Sequence, residues 1–180
     1  MKTNKAFTLV ELLVVVLIIG VLAAIALPQY QKVIERSKSA QAISLIKATA
    51  QAIESYRLSN GDYPHTFDVL PINIPWSTHA AVIGVSQETR ANKDWAIEIE
   101  DARYLGYSVN IYITRISGKY KGAGFKLLVV PGAQQIQCFE RLDSANPTFN
   151  PSIPKGAYCQ KIMKCLFQAE NTTARYYTLR

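Results

Sequence analysis

Histidine is almost missing from this chain: His65 and His79 are the only two among 180 residues. Neither has a cysteine or carboxylate cluster beside it at metal-ligand spacing, so no metal site is expected. His65 with Asp68 reads as a local hydrogen bond, not a catalytic pair. Cysteine is absent before residue 138, and three in total leave one thiol over. Gly122-x-Gly124 after Lys121 is a single glycine pair, too little for a phosphate loop. No dense run of Asp and Asn resembles a calcium loop. There is no low-complexity tract and no internal repeat. These absences leave no constellation for catalysis, so the chain is read as not an enzyme and as needing no cofactor. The sharpest absence is of charge: from Phe7 to Leu27 the one ionisable side chain is Glu11.

That apolar run has the length of a membrane span. As a helix it would extend roughly 31 Å, about the hydrocarbon thickness of a bilayer. Lys2 and Lys5 precede it and no lysine falls inside, an asymmetry that holds the N-terminus on the cytoplasmic side. Glu11, one turn in, is costly in an apolar layer and calls for a partner. Three readings compete. One is an ordinary signal anchor. A second is a cleaved secretory signal, because Ala24-Ile25-Ala26 fits the small-x-small cleavage pattern. Against it, such apolar regions run about 7–15 residues, and the uncharged stretch Leu12 to Leu27 is longer. The third rests on Ala6-Phe7-Thr8-Leu9-Val10-Glu11-Leu12-Leu13. This stretch closely resembles the cleavage and methylation motif of the type IV prepilin family. The resemblance is specific from Met1 to about Pro28 and extends to about Pro64.

The resemblance implies that a prepilin peptidase cuts between Ala6 and Phe7 and N-methylates the new Phe7 amine. The family usually has glycine before the cut; Ala6 is also small. Glu11 stands fifth after the cut, where the family keeps its glutamate. There it would neutralise the Phe7 amine of a neighbouring subunit. Gly20 and Pro28 sit where pilins carry a glycine and a helix-loosening proline. Proline removes a backbone hydrogen bond, so the helix is expected to kink or melt around Ala24 to Pro28.

Beyond Pro28 the pattern becomes amphipathic. Ile43, Ile46, Ala50 and Ile53 recur at helical spacing beside Leu45, Thr49 and Ala52, with charged residues interspersed. Ser59-Asn60-Gly61-Asp62 predicts a stop near Leu58. Asn60 to Pro64 also resembles the exit from the long helix of pilins. His65 to about Asp94 reads as a connector, with an irregular loop between Trp76 and Asn92. Strands are expected at Trp95–Glu100, Tyr107–Ile116, Phe125–Val130 and Gln135–Leu142, and a loop from Asp143 to Gly156. Short sequential strands suggest an antiparallel meander with one face on the amphipathic helix.

The fold class is therefore α+β. The long N-terminal helix packs on an antiparallel sheet with a disulfide-stapled C-terminal segment, which is also the pilin architecture. The expected divisions are a leader over 1–6, a membrane or filament-core helix over 7–27 and an amphipathic half over 28–58. A connector follows over 59–94, then sheet and cysteine loop over 95–180. A Cys138–Cys159 bridge would close 21 residues, worth about 3 kcal/mol in the chain-entropy model. It resembles the staple of many pilins, and Cys165 is the rival partner.

The implied function is a structural pilus subunit, an inner-membrane protein before assembly and part of an extracellular filament after it. The implied partners are identical or related pilins, the prepilin peptidase that also methylates, and an inner-membrane assembly platform. Two alternatives stand beside it. A type II secretion pseudopilin shares the N-terminal motif, but the major type tends to carry a C-terminal calcium loop. A minor pilin that captures DNA would use Arg115, Lys119, Lys121 and Lys126 around one hairpin, with Lys161 and Lys164 near the C-terminus. The net charge of +7 becomes +5 once Lys2 and Lys5 leave with the leader.

Overall fold

The computed structural model describes residues 8–82, 88–101, 108–142 and 153–179. The chain divides into two compact units, 1–38 and 39–180. One helix, α1 (Leu9–Asn60), contributes to each.

In the first unit, α1 carries a sequence to Leu27 that is apolar except at Glu11, with its large side chains exposed. Of the kink or melting expected around Ala24 to Pro28, melting does not occur: the helix continues through Gly20 and Pro28. Proline lacks one N–H, but its fixed φ is close to helical, and the bonds on either side hold the ladder.

In the second unit, burial on α1 starts at Ser39 and continues through Ala42, Ile46, Thr49, Ala50, Ala52 and Ile53. These positions recur every three or four residues, which keeps them on one face. The helix ends at Asn60, two residues past the expected stop. Ser59 and Asn60 donate their side chains back to the carbonyls of Ser55 and Tyr56, which holds the last turn. Gly61, at φ +79°, then caps it by donating its N–H to Arg57 O at 2.8 Å.

Eight strands form one antiparallel sheet in the order β1-β2-β3-β4-β5-β6-β8-β7. They are β1 (Ser77–Thr78), β2 (Glu88–Ala91), β3 (Trp95–Asp101), β4 (Val109–Arg115), β5 (Ala123–Val130), β6 (Ala133–Arg141), β7 (Leu166–Glu170) and β8 (Ala174–Thr178). The four expected strands are β3 to β6, in meander order. Ile97, Ile99, Ile111, Ile113, Phe125, Leu127 and Val129 alternate inward and share one core with Ile46, Ala50 and Ile53 of the helix. Gly124 is required where β5 crosses β4: a Cβ there would lie 2.1 Å from Ile113 O.

Two expectations are corrected. The connector is not irregular throughout, because β1 and β2 extend the sheet beyond β3. Glu88-Thr89-Arg90-Ala91 has no apolar alternation to announce a strand; its pairing with β3 makes it one. Side chains then fasten the connector to it. Glu88 accepts the Phe67 N–H at 2.6 Å and the Arg90 Nε at 2.9 Å. Arg90 also pairs with Asp68 and lies over the Phe67 ring at 5.5 Å. Asp68 thus holds Arg90. Second, the C-terminal segment forms a hairpin, β7–β8, and β8 pairs with β6. Asn171 turns it: its Oδ1 accepts from Thr173 N, Thr173 Oγ1 and Ala174 N at 2.8–3.0 Å. Of the expected loop over 143–156, residues 143–152 lie outside the described residues.

Candidate functional site

The candidate assembly site is the apolar N-terminal part of α1. Leu9, Val10, Leu12, Leu13 and the other leucines, valines and isoleucines to Leu27 are between 46% and 79% exposed. It is the one described helix long and apolar enough to cross a membrane. Apolar area left in water costs about 25 cal/mol per Å², so this surface requires an apolar solvent or other helices.

Thr8 and Glu11 shape its first turn. Glu11 Oε2 accepts the Thr8 N–H at 2.8 Å and the Thr8 hydroxyl at 2.7 Å. Thr8 Oγ1 accepts the Glu11 N–H at 3.2 Å. This reciprocal pair is a capping box, and it satisfies backbone donors that the first helical turn leaves open. The Thr-x-x-Glu spacing was readable in the sequence; sequence reasoning passed over it and gave Glu11 only an intersubunit partner. The cleavage and methylation residues Ala6 and Phe7 lie outside the described residues. Gly20 has open space: a Cβ built there meets nothing within 4 Å. Glycine inside a helix costs roughly 1 kcal/mol relative to alanine, and nothing near it in its own chain requires it.

At the other end of the sequence the structure joins Cys138 on β6 to Cys159, and Cys165 is a buried free thiol. Beside the bridge sits a group that sequence reasoning missed. Glu140 is completely buried and inward-facing, two residues from Cys138. Its Oε1 accepts the N–H groups of Tyr158 at 2.8 Å and Cys159 at 2.9 Å. Its Oε2 accepts the Gly156 N–H at 2.8 Å and the Tyr177 hydroxyl at 2.7 Å. Four donors around one carboxylate compensate its burial. Burial, with the Glu140 hydrogen bond and charge, pushes the Tyr177 phenol well above its ordinary range. The available signal was a glutamate at an inward strand position. Ser39 and Tyr158 share a buried hydrogen bond of 2.6 Å, which ties the same segment to the helix.

The basic cluster of the DNA-capturing alternative loses two of its four hairpin members to packing. Arg115 is 2% exposed, with its guanidinium 5.1 Å from the Trp95 ring. Lys126 lies against the Tyr112 and Tyr176 rings at 5.4 and 5.9 Å, and burial lowers its pKa. Lys119 and Lys121 remain toward the hairpin tip. Tyr176 and Tyr177 are packing residues on opposite faces of β8. Among the described residues there is no group of three or more His, Cys, Asp or Glu arranged to hold a metal.

Comparison with known proteins bears on the N-terminal part. Residues 1–27 match the family model described as the prokaryotic N-terminal methylation motif. The chain is similar to a fimbrial protein of Pseudomonas aeruginosa, 53% identical over 55 residues, which is 31% of this chain and 36% of that protein. It is also similar to a fimbrial protein of Neisseria meningitidis serogroup B, 43% identical over 61 residues, 34% of this chain and 36% of the relative. A type IV major pilin protein PilE1 of Neisseria gonorrhoeae shows the same identity over the same length, covering 37% of that protein. The similarity thus spans little more than a third of these relatives. No solved structure matches.

Proposed function

We propose that this chain is a structural subunit of a type IV pilus, held in the inner membrane by α1 before assembly and built into a filament through it afterwards. The observation that carries this reading is the exposed apolar part of α1, headed by Glu11 inside a prepilin-type methylation motif. The N-terminal similarity to fimbrial proteins and type IV pilins supports it. The burial of Arg115 and the stacking of Lys126 remove support from the DNA-capturing alternative.

In this reading, cleavage between Ala6 and Phe7 on the cytoplasmic side creates an N-methylated ammonium one turn before Glu11. An ionised carboxylate has about four acceptor positions, and Thr8 occupies two of those of Glu11. The remaining capacity receives the Phe7 ammonium of a neighbouring subunit, so both charges enter the apolar filament core as a pair. Gly20 lets neighbouring helices approach closely. The partners are related pilins, the peptidase that also methylates, and an inner-membrane assembly platform.

The test compares sheared surface fibres with the membrane fraction, by yield and intact mass. The expected mature chain begins at N-methylated Phe7. Glu11→Ala removes both cap and charge; Glu11→Gln keeps the cap, because glutamine serves at that position of a capping box. Both variants are expected to be processed and to yield few or no fibres. Normal fibres from Glu11→Gln would overturn the charge-pairing role, and a mass starting at Met1 would overturn the processing.

A further inference from the structure

Three cysteines allow three single bridges, and strand spacing alone does not choose among them. Cys138, Cys159 and Cys165 all lie in the same buried cluster. Cys159 and Cys165 sit on one turn-rich segment: Cys165 donates its N–H to Cys159 O at 2.9 Å, and Lys164, at φ +62°, bends the chain between them. The segment therefore brings two thiols into the core close together in sequence.

We propose that Glu140 is the positioning residue that selects the bridge, presenting Cys159 rather than Cys165 to Cys138. Cys138 and Glu140 are two residues apart on β6 and face the same side. The carboxylate gathers the N–H groups of Gly156, Tyr158 and Cys159. This is a concave array of backbone donors closed around an anion. Gly156 adopts φ +72°, a left-handed conformation that favours glycine at the start of the array. With the Cys159 N–H fixed on Glu140, its sulfur is delivered to the sulfur two residues back on β6. Cys165 is held one wide turn away, with its own N–H occupied by Cys159 O. In the folded chain, burial, with the nearby Glu140 charge, also pushes the Cys165 thiol up to about 11, which keeps it protonated near neutral pH. Forming the bridge removes two protons and two electrons from the Cys138 and Cys159 thiols. A small-molecule disulfide accepts them and leaves as two thiols.

The experiment reduces and unfolds the full chain, then reoxidises it in detergent with oxidised and reduced glutathione. Alkylation and non-reducing peptide mapping follow. The wild type is expected to return the Cys138–Cys159 pair. Glu140→Gln offers one acceptor oxygen and sets amide hydrogens against backbone donors. It is expected to raise the fraction containing Cys165 in a bridge at least about tenfold, which is about 1.4 kcal/mol of selection. Glu140→Asp keeps the charge but shortens the reach. It is expected to fall between the two and serves where the glutamine variant fails to fold. Ile97→Ala, in the core on β3, is the control for lost stability. Mispairing by either Glu140 variant beyond the control supports the proposal. Mispairing no greater than the control in both variants overturns it and leaves Glu140 a purely structural residue.

Discussion

The first and last parts of α1 are one helix by backbone and two by burial. To Lys38 its aliphatic side chains are exposed; from Ser39 onward Ile46, Ala50 and Ile53 are completely buried. To Leu27 the helix is apolar around its circumference except at Glu11, and its own chain leaves that surface open. The C-terminal part is apolar on one stripe, and the sheet of the same chain matches it. Apolar residues in a helix thus signal two different things here. Apolar on one face means an internal core, and apolar all round calls for apolar surroundings that the chain itself does not supply.

Equal substitutions should then have unequal effects. Ile46→Ala is expected to destabilise the globular unit by about 2–5 kcal/mol, through lost burial and a residual cavity. Ile18→Ala, at a position 51% exposed, should change that same unfolding by less than about 0.5 kcal/mol. Urea unfolding of the two full-length variants in detergent checks both, and similar losses would break the distinction.

A second prediction moves from helix to sheet. Gly124→Ala is expected to cost about 1–3 kcal/mol by overpacking, because the added Cβ meets Ile113 O and the Phe139 ring. Gly20→Ala, where nothing lies within 4 Å, should leave the globular unit unchanged. If the open space at Gly20 serves contact between subunits, that variant lowers fibre yield instead.

The smallest effect concerns Cys165. Its thiol is pushed from an ordinary value of 9 up to about 11, first by burial and then by the Glu140 charge. Below pH 9 the thiol is neutral in folded and unfolded chains alike, and its stabilising burial is fully present. Between pH 9 and about 11 the unfolded chain loses the proton and the folded one keeps it, so stability falls as pH rises. Cys165→Ser should lessen this decline in unfolding midpoint. Iodoacetamide should label native Cys165 slowly at pH 8 and faster as pH approaches 11.

How much was legible depended on how local the cause was. The helix, its stop at Gly61 and strands β3 to β6 follow from periodicity and turn residues within a few positions. Strand β2 did not announce itself, because Glu88 and Arg90 are polar and bond to groups of the connector, the Phe67 N–H and the Asp68 carboxylate. Strands β7 and β8 were missed because they are short and β7 is exposed along its length, which erases alternation. In the candidate site, the prepilin motif was legible residue by residue, whereas the Thr8–Glu11 cap was legible and overlooked.

The sequence by itself determined that the chain starts with a membrane-length apolar run interrupted by one carboxylate, and that an amphipathic helix and an antiparallel sheet follow. Those facts are written in local order, in runs and periods that any window of residues displays. Only the tertiary structure decided that Cys159 is the partner of Cys138, that Glu140 gathers four donors, and that Arg115 leaves the surface for Trp95. Each of these joins residues 16 to 37 or, for Arg115, a full strand pair apart. Such contacts depend on strand register and chain turns, which no local pattern encodes, and burial then makes them strong by removing the competing water.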